Sequence, residues 1–189
     1  MANTSDFRNG FTFIWNGDVW QIVEFMHVKP GKGGAFVRTK LRNVRSGKVV
    51  DNVFRSGERV DEVRVERRTY QFLYEDELGL HLMNTDTYEQ TSLPAKQVEG
   101  KEFIKEGGEL DVLFNSATGE PLNVEIPRSV ELRVTQTDPG LKGDTANGAV
   151  KPATLESGAV VNVPLFINEG DLIKVDTASG SYSTRVAAA

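Results

Sequence analysis

Phe11-Thr12-Phe13-Ile14-Trp15-Asn16-Gly17-Asp18-Val19-Trp20-Gln21-Ile22-Val23-Glu24-Phe25 is the stretch that decides the fold. Two runs dense in aromatic and β-branched residues flank Asn16-Gly17. Both of those turn positions tolerate positive φ, so the pattern predicts a tight β-hairpin. The same grammar continues outward in both directions. Residues 35–41 and 49–54, across Arg45-Ser46-Gly47-Lys48, predict a second hairpin. Residues 69–74 and 80–84 flank a turn at 75–79, and residues 110–115 and 122–126 flank a turn at 116–121. A third set follows Pro127, at 130–137, 159–167, 172–176 and 182–186. Helical periodicity is nearly absent. Residues 99–106 read as one helical turn, which Gly107-Gly108 would end. Many short strands at this spacing predict an all-β chain of small barrels or sandwiches.

The 189 residues carry a net charge of −5, which on average argues against a nucleic-acid partner. The average conceals a gradient. Residues 1–64 hold 11 Lys/Arg against 7 Asp/Glu, residues 65–127 hold 5 against 13, and residues 128–189 hold 6 against 7. These shifts predict three units of about sixty residues, 1–64, 65–127 and 128–189, each small enough for only a marginal core of its own. Between Lys29 and Lys48 lie seven cations (Lys29, Lys32, Arg38, Lys40, Arg42, Arg45 and Lys48) and no acidic residue. A local patch of this kind steers a polyanion even on an acidic protein. There is no cysteine, which excludes disulfide and thiolate chemistry and suits the cytoplasm. The N-terminal MANTSDFRNG has no apolar run after a basic start, so no signal peptide is expected, and no stretch is apolar enough for a membrane span.

An enzyme would show a constellation, and none is legible. The two histidines, His27 and His81, fall in different units, and His81 alternates with Leu80 and Leu82 as a partly exposed strand residue does. With no cysteine and two histidines, a metal site or cofactor is not expected. The acidic run Glu75-Asp76-Glu77 sits in a turn, where solvation accounts for it. Gly31-Lys32-Gly33-Gly34 lacks the G-x-x-x-x-G-K-[ST] spacing and precedes no helix, which excludes a phosphate loop.

The segment Val28-Lys29-Pro30-Gly31-Lys32-Gly33-Gly34-Ala35 is basic and nearly free of side-chain bulk. Pro30 fixes its own φ, and Gly31 is the expected site of the positive φ that a tight turn demands. Gly33 and Gly34 remove Cβ atoms and let another molecule's backbone approach. Lys32 is then the one long side chain at the apex. A plain exposed turn would explain the Gly and Pro but not a lysine at the tip of a wholly basic hairpin. Such a finger suits an RNA-lined space.

These residues resemble the elongation factor P family. Its modified-lysine loop is similar to Lys29-Pro30-Gly31-Lys32-Gly33-Gly34-Ala35-Phe36, and Tyr88-Glu89-Gln90 resembles a segment of its second domain. In the third domain the residues from Thr137 through Thr145, and those from Lys151 through Ile167 with Gly170, are closely similar. The resemblance covers essentially the whole chain. It implies an SH3-like barrel followed by two OB-type barrels, arranged in an L that imitates a transfer RNA. It implies a non-enzymatic, monomeric factor that binds the 70S ribosome, both rRNA and ribosomal proteins. That factor would sit between the peptidyl and exit sites and relieve stalling at consecutive prolines by positioning peptidyl-tRNA, the prolyl form above all. Lys32 matches the residue extended by a lysine-modifying enzyme, within a loop of Lys29, Pro30, Gly31, Gly33 and Gly34. Arg38, Lys40 and Arg42 complete the expected RNA-contacting hairpin. Gly143, Asp144, Thr145, Asn147 and Gly148 match a loop facing the exit-site codon, and Tyr182 and Arg185 match a terminal Tyr-x-x-Arg. Tyr182 reads equally well as a core strand aromatic. Gly34 stands where some relatives carry Gln, and an apex Lys in place of Arg argues against rhamnosylation.

Two rival readings share parts of this pattern. The family's paralogue, the elongation factor P-like protein, has the same fold, and rescue of proline-stretch synthesis separates the two. A general OB-type RNA-binding module would stack bases on exposed aromatics, and the basic hairpin offers only Phe36.

Overall fold

The computed structural model describes residues 1–140 and 148–189. Among them there is no α-helix, only strands and three 3-10 turns, at Thr4–Asp6, Ala95–Gln97 and Lys101–Phe103. The helical turn expected at 99–106 is therefore a single 3-10 turn, ending before Gly107.

The strands form three antiparallel sheets. The first comprises β1 (Ala2–Asn3), β2 (Thr12–Trp15), β3 (Asp18–Val28), β4 (Phe36–Asn43), β5 (Val49–Arg55) and β6 (Arg59–Glu62), in the order β1-β6-β2-β3-β4-β5. The second comprises β7 (Val65–Asp76), β8 (Gly79–Asn84), β9 (Gln90–Leu93), β10 (Glu109–Asn115) and β11 (Pro121–Glu125), in the order β11-β10-β7-β8-β9. The third comprises β12 (Ser129–Thr137), β13 (Val150–Leu155), β14 (Val160–Pro164), β15 (Leu172–Asp176) and β16 (Ser181–Ala187), in the order β14-β13-β12-β15-β16. β12 is shared along its length: residues 129–133 pair with β15 and residues 134–137 with β13. Its two ends serve different neighbours, and the edge strands β14 and β16 approach each other, so this sheet coils toward closure.

The predicted Asn16-Gly17 turn is present. Both residues are left-handed, with φ of 51° and 80°, and Trp15 pairs with Asp18. That is the geometry a two-residue turn needs to follow the strand twist. Residues 150–155 form a strand that the sequence does not announce, because Pro152 interrupts them. Pairing with β12 stops at Ala153, so the missing N–H of Pro152 falls beyond that ladder.

Packing divides the chain into two compact units, 1–68 with 112–123, and 69–111 with 124–189. The core of the first is aromatic: Phe7, Phe11, Phe13, Trp20 and Phe54 are buried with Ile22, Val37 and Leu41. Phe13 is fully buried and its ring lies 5.7 Å from Phe7, 6.1 Å from Phe11 and 5.8 Å from Phe54. The core of the second gathers Leu132, Val134, Leu155, Val161, Val163, Ile167, Ile173 and Val175, with Phe103 from the 3-10 turn. Strict in–out alternation on β13 and β14 supplies this core from one face of the sheet.

Candidate functional site

The β3–β4 ladder runs from Trp20 opposite Asn43 to Val28 opposite Phe36. Lys32 lies four residues beyond each of the last paired residues, at the midpoint of the connection. Lys29, Gly31, Lys32, Gly33 and Gly34 are all exposed, and Pro30 is half-buried. Gly31 does not take the left-handed conformation expected of it. Gly33 does, at φ 109°. A Cβ on Gly33 would lie 3.9 Å from Pro30 Cγ, an ordinary contact, so it is the positive φ and not crowding that favours glycine there. A Cβ at Gly31 or Gly34 would meet nothing within 4 Å. No neighbour within the molecule therefore requires glycine at Gly31 or Gly34.

Below the tip, β3, β4 and β5 present an outward face of cross-strand rows. Arg38 stands between Met26 and Val53, Lys40 between Glu24 and Asp51, and Arg42 between Gln21 and Val49. Glu24 takes its place opposite Lys40 because β3 carries a bulge at Val23, between the pairs Ile22–Leu41 and Glu24–Lys40. Lys40 Nζ donates to Glu24 Oε2 at 3.4 Å. Arg45 approaches Asp18 at 3.8 Å and Glu120 at 3.2 Å. Arg38 lies over the Phe36 ring, 5.7 Å from its centroid, so Phe36 is occupied by its own chain. The basic run free of acids in sequence is thus not free of them in space: Lys40 and Arg45 are matched, while Lys29, Lys32 and Arg42 make no ion pair among the described residues. A shallow depression of about 500 Å³ lies on this face, lined by Glu24, Met26, Arg38, Lys40, Asp51 and Val53.

In the third sheet, Gly143, Asp144, Thr145 and Asn147 lie outside the described residues. Gly148 is exposed and left-handed at φ 96°. Tyr182 packs against the buried core of its unit, as the strand-aromatic reading has it. Arg185 extends over the Phe166 ring at 5.3 Å, with Nη1 3.6 Å from the carboxylate of Asp171. Asp171 is 2% exposed and accepts from the backbone N–H groups of Asn168 and Ala189. Those N–H groups, led by that of Asn168, and the Arg185 guanidinium hold its carboxyl below the ordinary aspartate value, against the opposing effect of burial. Sequence reasoning missed Asp171 and Phe166 as the partners that fix Arg185, because neither is near it in the chain.

The remaining candidates for chemistry are accounted for locally. His27 sits edge-on to Phe25, and His81 stacks on Tyr74 at 4.4 Å with Nε2 2.9 Å from Asp76. Among the described residues no group of three or more His, Cys, Asp and Glu is placed to hold a metal, and no helix is long and apolar enough to cross a membrane.

Three family models match successive parts of the chain: the elongation factor P KOW-like domain at residues 3–60, the elongation factor P OB domain at 65–124, and the elongation factor P C-terminal domain at 130–185. Elongation factor P of Salinibacter ruber is 62% identical over all of this chain and 98% of its own length. That of Natranaerobius thermophilus is 53% identical over 98% of each. A translation initiation factor eif-5a family protein of Naegleria fowleri shares the fold, with a TM-score of 0.50 at 19% identity over 66% of this chain and 96% of its own. From its first strand to its last, the chain belongs to the elongation factor P family, whose members are translation elongation factors and not enzymes.

Proposed function

We propose that this ribosome-associated factor works through Lys32, which enters the catalytic centre of the ribosome and steadies peptidyl-tRNA so that peptide bonds form at consecutive prolines. The observation that carries the reading is the isolation of one long cation at the midpoint of a paired hairpin, with three exposed glycines beside it. The factor contributes no bond-making group. It lowers the barrier by orientation, which removes part of the entropic cost of bringing two reactants together. Prolyl-tRNA gains most, since its constrained ring makes productive alignment rare.

In this reading the factor acts in the cytoplasm from a position between the peptidyl and exit sites, as three barrels bounded near residues 64 and 127. Lys29, Arg38 and Arg42 contact RNA phosphates along the finger. Gly143, Asp144, Thr145, Asn147 and Gly148 face the exit-site codon, and Tyr182 and Arg185 complete the third-domain contacts with the ribosome and mRNA. Lys32 carries a covalent extension, β-lysyl or an amino-alcohol, added by a separate enzyme that recognises the loop. A bare lysine already supplies charge. What an extension adds is length and further hydrogen-bond donors beyond a crowded RNA wall.

The test is translation of a Pro-Pro-Pro reporter with Lys32→Ala. The variant should fold like the parent, because an exposed tip carries little stability. It should also leave the stall in place. Equal synthesis rates for variant and parent would end the reading. Mass spectrometry of the Lys32 peptide from the native host tests the extension: an unmodified mass in fully active protein removes it.

A further inference from the structure

Four turns in this protein share one design. In the first, Asn43 N–H donates to the Lys48 carbonyl, Gly47 N–H donates to the Asn43 carbonyl, and Asn43 Oδ1 accepts from Arg45 and Ser46 N–H. Asn115 repeats the pattern with Glu120, Gly119 and Ala117. Asp176 repeats its side-chain half, accepting from Ala178 and Ser179 N–H ahead of Gly180. The fifth residue is left-handed each time: Gly47 at φ 70°, Gly119 at 70° and Gly180 at 63°. Glycine suits that position because it has no Cβ to clash with the carbonyl.

The fourth turn joins β8 to β9. Asn84 N–H donates to the Glu89 carbonyl, Tyr88 N–H donates to the Asn84 carbonyl, and Asn84 Oδ1 accepts from Asp86 and Thr87 N–H. Its left-handed residue is Tyr88, at φ 60°. A bulky residue there is an outlier that persists only where the surrounding bonds over-determine it. The ring does not justify itself by packing, since Tyr88 is 70% exposed. The chain uses glycine at this position three times and tyrosine once, and that tyrosine serves neither the turn nor the core.

We infer that Tyr88 is an anchor for a second protein, and that its partner is an arginine- or lysine-rich segment. An exposed, conformationally fixed tyrosine is the kind of side chain that dominates protein contacts, because it buries a large ring at small entropic cost. The charge around it selects the partner. Asp86 and Glu89, two residues before Tyr88 and one after it, are both exposed, and residues 65–127 carry 13 Asp/Glu against 5 Lys/Arg. RNA phosphates are repelled by that surface, whereas a cation gains from both the carboxylates and the ring face. The inference rests on ribosome association alone and is independent of what Lys32 does.

The experiment places the photo-crosslinking residue p-benzoylphenylalanine at position 88 and irradiates the protein bound to purified 70S ribosomes. The expected product is an adduct to a Lys/Arg-rich ribosomal protein segment. An adduct to rRNA, or no adduct from a variant that binds like the parent, overturns the inference. Tyr88→Gly supplies the second arm. It should melt no lower than the parent, since glycine is what the other turns use, yet bind ribosomes roughly tenfold more weakly. Tyr88→Phe, which keeps the ring, should bind like the parent. Undiminished binding by Tyr88→Gly would refute the role. Parent binding is measured alongside, so a failure of ribosome association itself is distinguishable.

Discussion

Lys40 and Arg42 are two residues apart on one strand and point the same way, yet they should respond differently to removal. Deleting a cation that neutralises one phosphate lowers the slope of log K against log salt by about 0.9, so affinity falls about 3.5-fold less between roughly 50 and 200 mM salt. Arg42 stands between Gln21 and Val49 with no acid in its row, and Arg42→Ala should show that full effect. Lys40 stands between Glu24 and Asp51, donating to the first at 3.4 Å. Its row is net negative, so a phosphate brought to Lys40 also meets two carboxylates. Lys40→Ala should therefore leave the slope nearly unchanged. Glu24→Gln should steepen it, by up to about 0.9, because the freed ammonium then becomes available. Titrations of fluorescently labelled protein with 70S ribosomes over a salt series read these slopes directly. Equal flattening by Lys40→Ala and Arg42→Ala would show that the Lys40–Glu24 pairing does not govern the RNA contact.

Three further outcomes follow from the packing. Phe13→Ala removes a fully buried ring that touches three others and should destabilise its unit by about 3–5 kcal/mol. Both tryptophans, Trp15 and Trp20, belong to that cluster, so intrinsic fluorescence during urea unfolding reports the loss. Gly79→Ala places a Cβ against the Leu93 carbonyl at φ 130° and should raise amide exchange at Leu80 and Leu82 on β8. Asp171 is held below its ordinary value, so its contribution is complete above pH 3.8 and is lost as pH falls through the lower folded value. Asp171→Asn should lower stability at neutral pH and remove that acid-side loss, as acid titration followed by circular dichroism would show.

Much of the fold could be read directly. The Asn16-Gly17 hairpin, the run of short strands and the apex position of Lys32 follow from local chemistry, which needs only neighbours in sequence. Strands β6 and β9 escaped because Arg-Val-Asp-Glu and Gln-Thr-Ser-Leu show little apolar alternation, and β9 is an edge strand with three exposed residues. β13 is not legible because Pro152 removes a ladder donor from its middle. The neutralisation of Lys40 was illegible for a different reason. Without the bulge at Val23, the residue after Ile22 would face Lys40, and that residue is a valine. One extra residue in a partner strand decides whether a cation is free, and nothing near Lys40 in the sequence announces it. Tyr88 was visible as a motif, but its strain appears only beside three glycines that do the same work.

The continuous pairing of β3 with β4 beyond the Val23 bulge, from Glu24 opposite Lys40 to Val28 opposite Phe36, makes the depth to which Lys32 can probe a matter of discrete steps. Adding one residue to each strand near the tip carries the apex about 3.4 Å farther out, and everything beyond the addition emerges on the opposite face of the ribbon. Adding two to each carries it about 7 Å and restores the original facing. A finger of this construction cannot be lengthened gradually without turning its lysine away. Natural or engineered versions of different length should therefore differ by even increments in each arm.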